Sequence, residues 1–513
     1  MIKKSILLFA LLFIFQSIPM AKCDHYYPLM MEYSTRPWLY SLSQKYGKTI
    51  NLGNIPDSEY DALQDQKLDY IWMMGIWKLG AYGLRYDRTN QAELSYFKTL
   101  LPDFTIDDVI GSPYAITEYV INPDIGTTQD LINFRKRLNG MGTKLILDFV
   151  PNHSAVDSPW NTTNPNYYIH APKGSVPPYD SSRYLPWGIA YGGEKYDGAW
   201  KDTAQLNYWN QDLRNAQTQN LLTIAKYADG IRTDMTQLAL NDVIQMDWSN
   251  ELSSWGYNKP STEFWCEAIS SVKNQYPDLI FLGEQYWGYD DQLINCGFDF
   301  LYDKALLDHL ASYKMSDIWS YLNSKISYFP KYSHYTENHD EPRAITKFGS
   351  WWQADAGALA SFTLPGMRFS FEGQWKGFKN KLDVHLRRAK SEDPNQDVVD
   401  FYKKFQDILA TDVFRKGTWS LINDCSNKNQ LITYRWYYKK SDGSYDKRLV
   451  VINLSGYQAS GNVVVSDAYA QSGDDIVITE LLTDKQYTRS ASEMRSTGLD
   501  VIVNSWYAQI FSY

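Results

Sequence analysis

From Leu68 to about Arg388, short apolar runs alternate with longer stretches of helical periodicity, the signature of repeated βα units around a parallel sheet. The runs predict strands at Tyr70–Met74, Lys144–Phe149, Gly230–Thr233, Leu279–Gly283, Phe298–Tyr302 and Tyr332–Glu337. Between them Thr128–Gly140, opened by a threonine cap, and Leu213–Tyr227 carry helical patterning. Such a series closes most naturally into an eight-stranded (β/α)8 TIM barrel, whose catalytic groups collect at the carboxyl rim of the strands.

Two breaks divide the chain. Between His153 and Trp200 the pattern gives way to Pro, Gly, Tyr, Asn and Ser, too long for an ordinary strand-to-helix loop, and predicts a small subdomain inserted at about residues 154–200. After Asp412, β-rich runs such as Leu449–Asn453 and Asn462–Val465 predict a C-terminal antiparallel, all-β domain over residues 411–513, leaving 24–410 to the barrel. Residues 1–23 differ again: Lys3 and Lys4 precede the apolar run Ile6–Phe15, and Ala21 is a small residue placed for cleavage. This segment reads as a secretory signal peptide, so the mature chain is expected to be secreted. No later run is continuous enough for a membrane span, and a soluble monomer with no membrane partner is expected.

The chain has 513 residues and a net charge of −9, and losing Lys3, Lys4 and Lys22 with the leader makes it more acidic. That balance repels nucleic acid and favours a neutral ligand. Aromatic residues make up 15%, and rings of this kind stack on the apolar faces of sugars. Four cysteines, Cys23, Cys266, Cys296 and Cys425, are too few for a disulfide scaffold; one bridge, Cys266 to Cys296, is open to them. Their spacing fits no zinc pattern, so no metal site is assigned. Glycosylation sequons at Asn161 and Asn453 are expected on the surface, whereas the one at Asn152 lies inside a motif and is expected to go unused.

The chemistry sits in four segments: Asp148-Phe149-Val150-Pro151-Asn152-His153, Gly230-Ile231-Arg232-Thr233-Asp234, Gly283-Glu284 and Glu337-Asn338-His339-Asp340. Each ends an apolar run with acids or with a histidine or arginine. Retaining hydrolysis of a glycosidic bond needs a nucleophilic carboxylate and a carboxylic acid roughly 5 to 5.5 Å apart. Asp234 and Glu284 are the expected pair. Arg232, two residues before Asp234 on a strand, faces the same side and is expected to lower the pKa of Asp234. Glu284, among Phe281, Tyr286 and Trp287, is expected to hold its proton near neutrality. Asp340 would stabilise the oxocarbenium-like transition state, with His339 and His153 donating hydrogen bonds to the same sugar. Any one of these residues could be a helix cap, a surface ion pair or a buried hydrogen-bonder. Four at successive strand ends argue for a site.

The four segments resemble the conserved regions of the α-amylase superfamily, glycoside hydrolase family 13. The resemblance extends to a first strand region at Tyr70–Trp77, a second around Tyr114 and Asn122-Pro123, the insert after the third strand, Leu364-Pro365-Gly366 near the eighth, and the β-rich tail. It implies Asp234 as nucleophile, Glu284 as general acid/base and Asp340 as transition-state stabiliser, with Arg232, His153 and His339 in the first subsite. It also implies Tyr114 as the tyrosine stacking on that sugar, Asp148 as its supporting acid, and Arg343 as a residue that binds substrate hydroxyls or a subsite carboxylate.

Two departures follow from the same resemblance. Where endo-acting members carry Lys-His after the nucleophile, this chain has Gln237-Leu238, which changes the leaving-group side. The structural calcium of many relatives is held by an asparagine matching Asn152 and by an aspartate where Gln205 stands, and the lost carboxylate disfavours a hard cation. No cofactor is required. The expected activity is hydrolysis of α-glucosidic, α-1,4 bonds in an oligosaccharide or glucan. The alternatives are a transglycosylase or a sucrose-, trehalose- or maltose-converting enzyme of the same family, and a non-catalytic binding protein on the same barrel.

Overall fold

The structure is a computed structural model that describes residues 26–194 and 198–513. The expected signal peptide and Cys23 lie outside the described residues. Eight parallel strands close into a barrel in chain order: β1 Leu29–Ser34, β2 Tyr70–Met74, β3 Lys144–Phe149, β4 Gly230–Thr233, β5 Ile280–Gly283, β6 Phe300–Tyr302, β7 Tyr332–Tyr335 and β8 Met367–Phe371, which pairs back to β1. A barrel strand is buried on both faces, by the interior and by the outer helices, so its run is apolar throughout. Every residue of β2, Tyr-Ile-Trp-Met-Met, is buried accordingly.

The barrel begins one strand earlier than the apolar pattern shows. β1 reads Leu-Met-Met-Glu-Tyr-Ser and passes directly into the helix Thr35–Tyr46, so Glu32 interrupts its run and no turn residue separates strand from helix. Tyr70–Met74 is therefore the second barrel strand, not the first. The region around Tyr114 and Asn122 is no barrel strand: Ile116–Ile121 pairs antiparallel with Trp77–Leu79 in a separate two-stranded sheet. Helix Thr128–Gly140 starts as expected, with Thr127 and Asp130 forming a reciprocal capping box.

The insert after β3 is a three-stranded antiparallel sheet of His153–Ala155, Tyr191–Glu194 and Gly198–Gln205. It includes His153 and runs to Gln205, beyond the expected limit at Trp200. Gly192 is required there: a Cβ would stand 2.8 Å from His153 Cβ and 2.4 Å from Thr203 Oγ1, so only glycine lets the insert close over the motif.

The tail forms a six-stranded antiparallel sheet beginning at Thr418, with Ala459–Val463 and Leu499–Val503 pairing separately. A short helix, Ala491–Ser496, lies within it. Alternation divides its residues between two cores: Ile432, Tyr434, Trp436, Val450, Ile452, Ala508 and Ile510 join the barrel core, whereas Leu431, Leu449, Val451 and Phe511 join a second one. Trp436 Nε1 donates to the Thr363 carbonyl at 2.7 Å, and the buried Arg368 guanidinium donates to the carbonyls of Tyr27, Phe362 and Phe414. Asn453 is buried, its Nδ2 donating to the carbonyls of Tyr457, Val503 and Asn504, which corrects the expectation of a surface sequon. Asn152 is buried too, and Asn161 is half-buried. Cys266 and Cys296 form a disulfide, and Cys425 is a buried thiol. Truncating the central anchor, Trp436→Ala, is expected to lower stability by about 3–5 kcal/mol, read from urea unfolding.

Candidate active site

Strand register assembles the acids. Asp148 on β3 and Leu282 on β5 both pair with Arg232 on β4. Two residues further along, Asp234 and Glu284 therefore stand side by side at the rim, and the ladder continues to them: Asp234 N–H donates to Phe149 O and Glu284 N–H to Thr233 O. Arg232 is fully buried beneath both. Its Nη1 donates to Asp234 Oδ1 at 2.9 Å and its Nη2 to Glu284 Oε2 at 2.6 Å. Asp148 Oδ1 lies 3.7 Å from Nη1, and Tyr302 Oη accepts from Nε at 3.3 Å. The guanidinium stacks 4.8 Å from the Trp72 ring and 5.3 Å from the Tyr114 ring.

Glu284 receives two more hydrogen bonds. The Met235 N–H donates to Oε2 at 2.8 Å and the Tyr286 hydroxyl to Oε1 at 2.9 Å. Met235 reaches this position with φ 38° and ψ 50°, a left-handed conformation unusual for a non-glycine residue and typical of strained functional turns. Of the three expected aromatic neighbours only Tyr286 touches the acid; Phe281 packs on Phe298, and Trp287 is 56% exposed.

Burial pushes the Glu284 carboxyl up to about 7; Arg232 opposes the rise, and Asp234 and Asp340 add to it. The expectation for Asp234 is corrected in sign. Arg232 does pull its pKa down, by charge and by hydrogen bond, but burial outweighs that pull and the net shift is upward. One cation shared between two buried acids cannot give either its full stabilisation.

The other predicted residues gather on the same rim, with one exception. The His339 ring lies between Glu32 Oε1, 2.5 Å from Nδ1, and Asp340 Oδ2, 3.1 Å from Nε2, with Tyr114 Oη 3.0 Å from Nε2. Asp340 is the open acid, its side chain 51% exposed. Crowding by protein raises its pKa, but the His339 charge and hydrogen bond outweigh this and hold the carboxyl at about 2. Asp148 supports the site from below, accepting from Trp72 Nε1 at 3.1 Å and Gly75 N–H at 2.8 Å, and burial raises it to about 6. His153, lowered by burial to about 4, is neutral and packs on Trp200 of the insert at 5.1 Å. Arg343 is the exception: it is buried, with Nη1 on Glu337 Oε1 and the Glu372 carbonyl, each at 2.7 Å, and Nε on the Asn380 carbonyl. It braces the Glu337 motif from behind rather than presenting a free fork to a sugar. Glu32, Tyr302 and the Met235 N–H are members that residue pattern did not single out. Glu32 carried a signal, an acid inside an apolar run; a backbone N–H carries none.

Comparison with known proteins agrees with this geometry. Residues 65–440 match the family model described as the α-amylase catalytic domain. The chain belongs to the α-amylase family. It is 25% identical over 332 residues to α-amylase 3 of Dictyoglomus thermophilum, covering 58% of this chain and 61% of that one. It is also 25% identical over 348 residues to a probable oligo-1,6-glucosidase 2 of Bacillus subtilis, covering 56% and 61%. The chain thus spans about three fifths of these two relatives. The structure of a noncanonic maltogenic α-amylase, AmyB, from Thermotoga neapolitana superposes with a TM-score of 0.68 at 18% identity, covering 96% of this chain and 99% of that one. Its likeness speaks for the fold.

The structure shows where the two positions singled out by the resemblance lie, beside the nucleophile and at Gln205. Gln237 and Leu238 are both buried in the turn Thr236–Ala239, beneath the cleft surface rather than on it. At Asn152 and Gln205, where the resemblance makes a calcium doubtful, the residues do not fit the cation. Gln205 Nε2 donates to Asn152 Oδ1 at 2.8 Å and to the Asn152 carbonyl at 3.0 Å, with the Leu206 carbonyl at 3.5 Å. An amide nitrogen stands where oxygens converge, and no carboxylate is supplied. Among the described residues no group of three His, Cys, Asp or Glu side chains is arranged to hold a metal. EDTA is therefore expected to leave the melting temperature unchanged. Gln205→Ala, which strips Asn152 Oδ1 of its donor while the Leu206 N–H still serves the carbonyl, should cost about 1–3 kcal/mol in thermal or urea unfolding.

Proposed function

We propose that this α-amylase-family glycosidase is a secreted retaining hydrolase of α-glucosidic bonds, with α-1,4 links in an oligosaccharide or glucan as its substrate. The observation that carries this reading is the Arg232 fork, which donates to Asp234 and Glu284 at once and so brings the two carboxylates close, as a retaining pair requires. In this reading Glu284 gives its proton to the glycosidic oxygen as the bond breaks, while an Asp234 oxygen attacks the anomeric carbon. The covalent glycosyl-enzyme is then opened by a water whose proton returns to Glu284. Asp340, ionised at neutral pH, faces the cationic sugar from the open side of the cleft. Tyr114 and Tyr286 offer rings, and His153 a neutral donor, to a substrate rich in hydroxyls. Secretion is supported by Lys3, Lys4 and the apolar run behind them, and by a disulfide suited to an oxidising compartment.

Two measurements test the reading. Maltoheptaose should give shorter maltooligosaccharides whose first-formed anomer, followed by NMR, keeps the α configuration; a β product, or longer chains with little glucose or maltose, contradicts it. An isomaltooligosaccharide run in parallel reports on the linkage. Asp234→Asn should abolish turnover and Glu284→Gln lower it about 10²–10⁴-fold, with the fold intact. Because the protonated form of Glu284 is the working acid, kcat/KM should hold below neutrality and fall about tenfold per unit as pH rises above about 7.

A further inference from the structure

Glu32 is an acid inside the barrel that the four motifs do not include. It stands on β1, fully buried, with Oε1 2.5 Å from His339 Nδ1 and no hydrogen-bond partner for Oε2. A carboxylate in that position is tolerated through its cation, and among the described residues His339 is the ion-pair partner it touches. The far side of the same ring faces Asp340 Oδ2 at 3.1 Å. Acceptors at both ring nitrogens demand a ring that donates from both, since a neutral imidazole has a single N–H.

We propose that Glu32 is a positioning residue of the active site: by claiming Nδ1 it fixes His339 as an Nε2–H donor to Asp340 and so keeps that carboxylate oriented and ionised toward the sugar. The inference rests on the reading of Asp340 as transition-state stabiliser. The charge environment is consistent with it. Burial alone would lower the pKa of His339, but Asp340 and Glu32 together hold it well above the usual imidazole range. Asp148 from β3, Arg232 from β4, Tyr302 from β6, Glu337, Glu372 and Lys381, which donates to the Asp340 carbonyl, are further charged or titratable groups that act on this pair, beside the Tyr114 hydroxyl. An apolar residue at position 32 would save the desolvation of a carboxylate, so stability alone gives no reason for an acid there.

The test is NMR of protein labelled with ¹⁵N-histidine, the His339 signals being those missing from His339→Gln. In the wild type both His339 nitrogens should stay protonated from about pH 5 to about pH 9. In Glu32→Gln the ring should titrate inside that range. Its kcat/KM should drop about 10- to 100-fold, the scale of a lost hydrogen bond to a charged group, and decline further as pH rises through the new midpoint. Glu32→Asp, which keeps the charge, should recover part of the rate and the protonated ring. The proposal is overturned if wild-type His339 titrates near 6.5, or if Glu32→Gln keeps both the wild-type protonation and a kcat within twofold. Should Glu32→Gln fail to fold, the wild-type titration decides alone. The spectroscopic readout needs no turnover, so its failure is distinct from that of the retaining mechanism, which the product anomer reports.

Discussion

A guanidinium buried in the mouth of the barrel organises everything around it. Arg232 has no solvent, so its charge must be answered within the protein, and the answers come from separate βα units: Asp148 from β3, Asp234 on its own chain segment, Glu284 from β5, the Tyr302 hydroxyl from β6 and the ring of Trp72 from β2. A buried cation without such partners would cost several kcal/mol. Closing the barrel in the observed register is what delivers them, so fold and site depend on one electrostatic requirement.

That requirement also explains why the acids differ. Asp234 and Glu284 compete for one cation in a dry place, and both rise. Asp340 escapes the competition: it sits at the open edge and takes its own cation, His339, so its carboxyl falls to about 2. A proton donor near neutrality and a permanent anion thus arise on one rim from burial and partner choice, without any change of residue class.

The site was legible in the sequence where its residues end apolar strands. Asp148, Arg232, Asp234, Glu284, His339 and Asp340 are brought together as their spacing predicted, because a period-two strand feeding a rim leaves few places for them to point. Tyr114 was placed by likeness alone. What escaped notice did so for physical reasons. Glu32 hides β1 by breaking its apolar run, and the net shift of Asp234 depends on a burial that no local pattern reports. The Met235 N–H is a backbone group in a strained turn with no residue-type signature. Asn453 reads as exposed because an amide side chain carries no sign of its buried acceptors, here backbone carbonyls, and Arg343 turns to Glu337, a carboxylate of its own motif, by a contact that spacing alone does not report.

The central claim is that one buried cation holds a nucleophile and an acid in distinct roles. Inactivation with a fluorinated α-glucosyl fluoride, which forms the glycosyl-enzyme faster than water can open it, tests that claim most directly when followed by peptide mass mapping. The account predicts a single glycosyl ester on the peptide bearing Asp234. An adduct on Glu284, or steady turnover of the inactivator with no adduct, would contradict it.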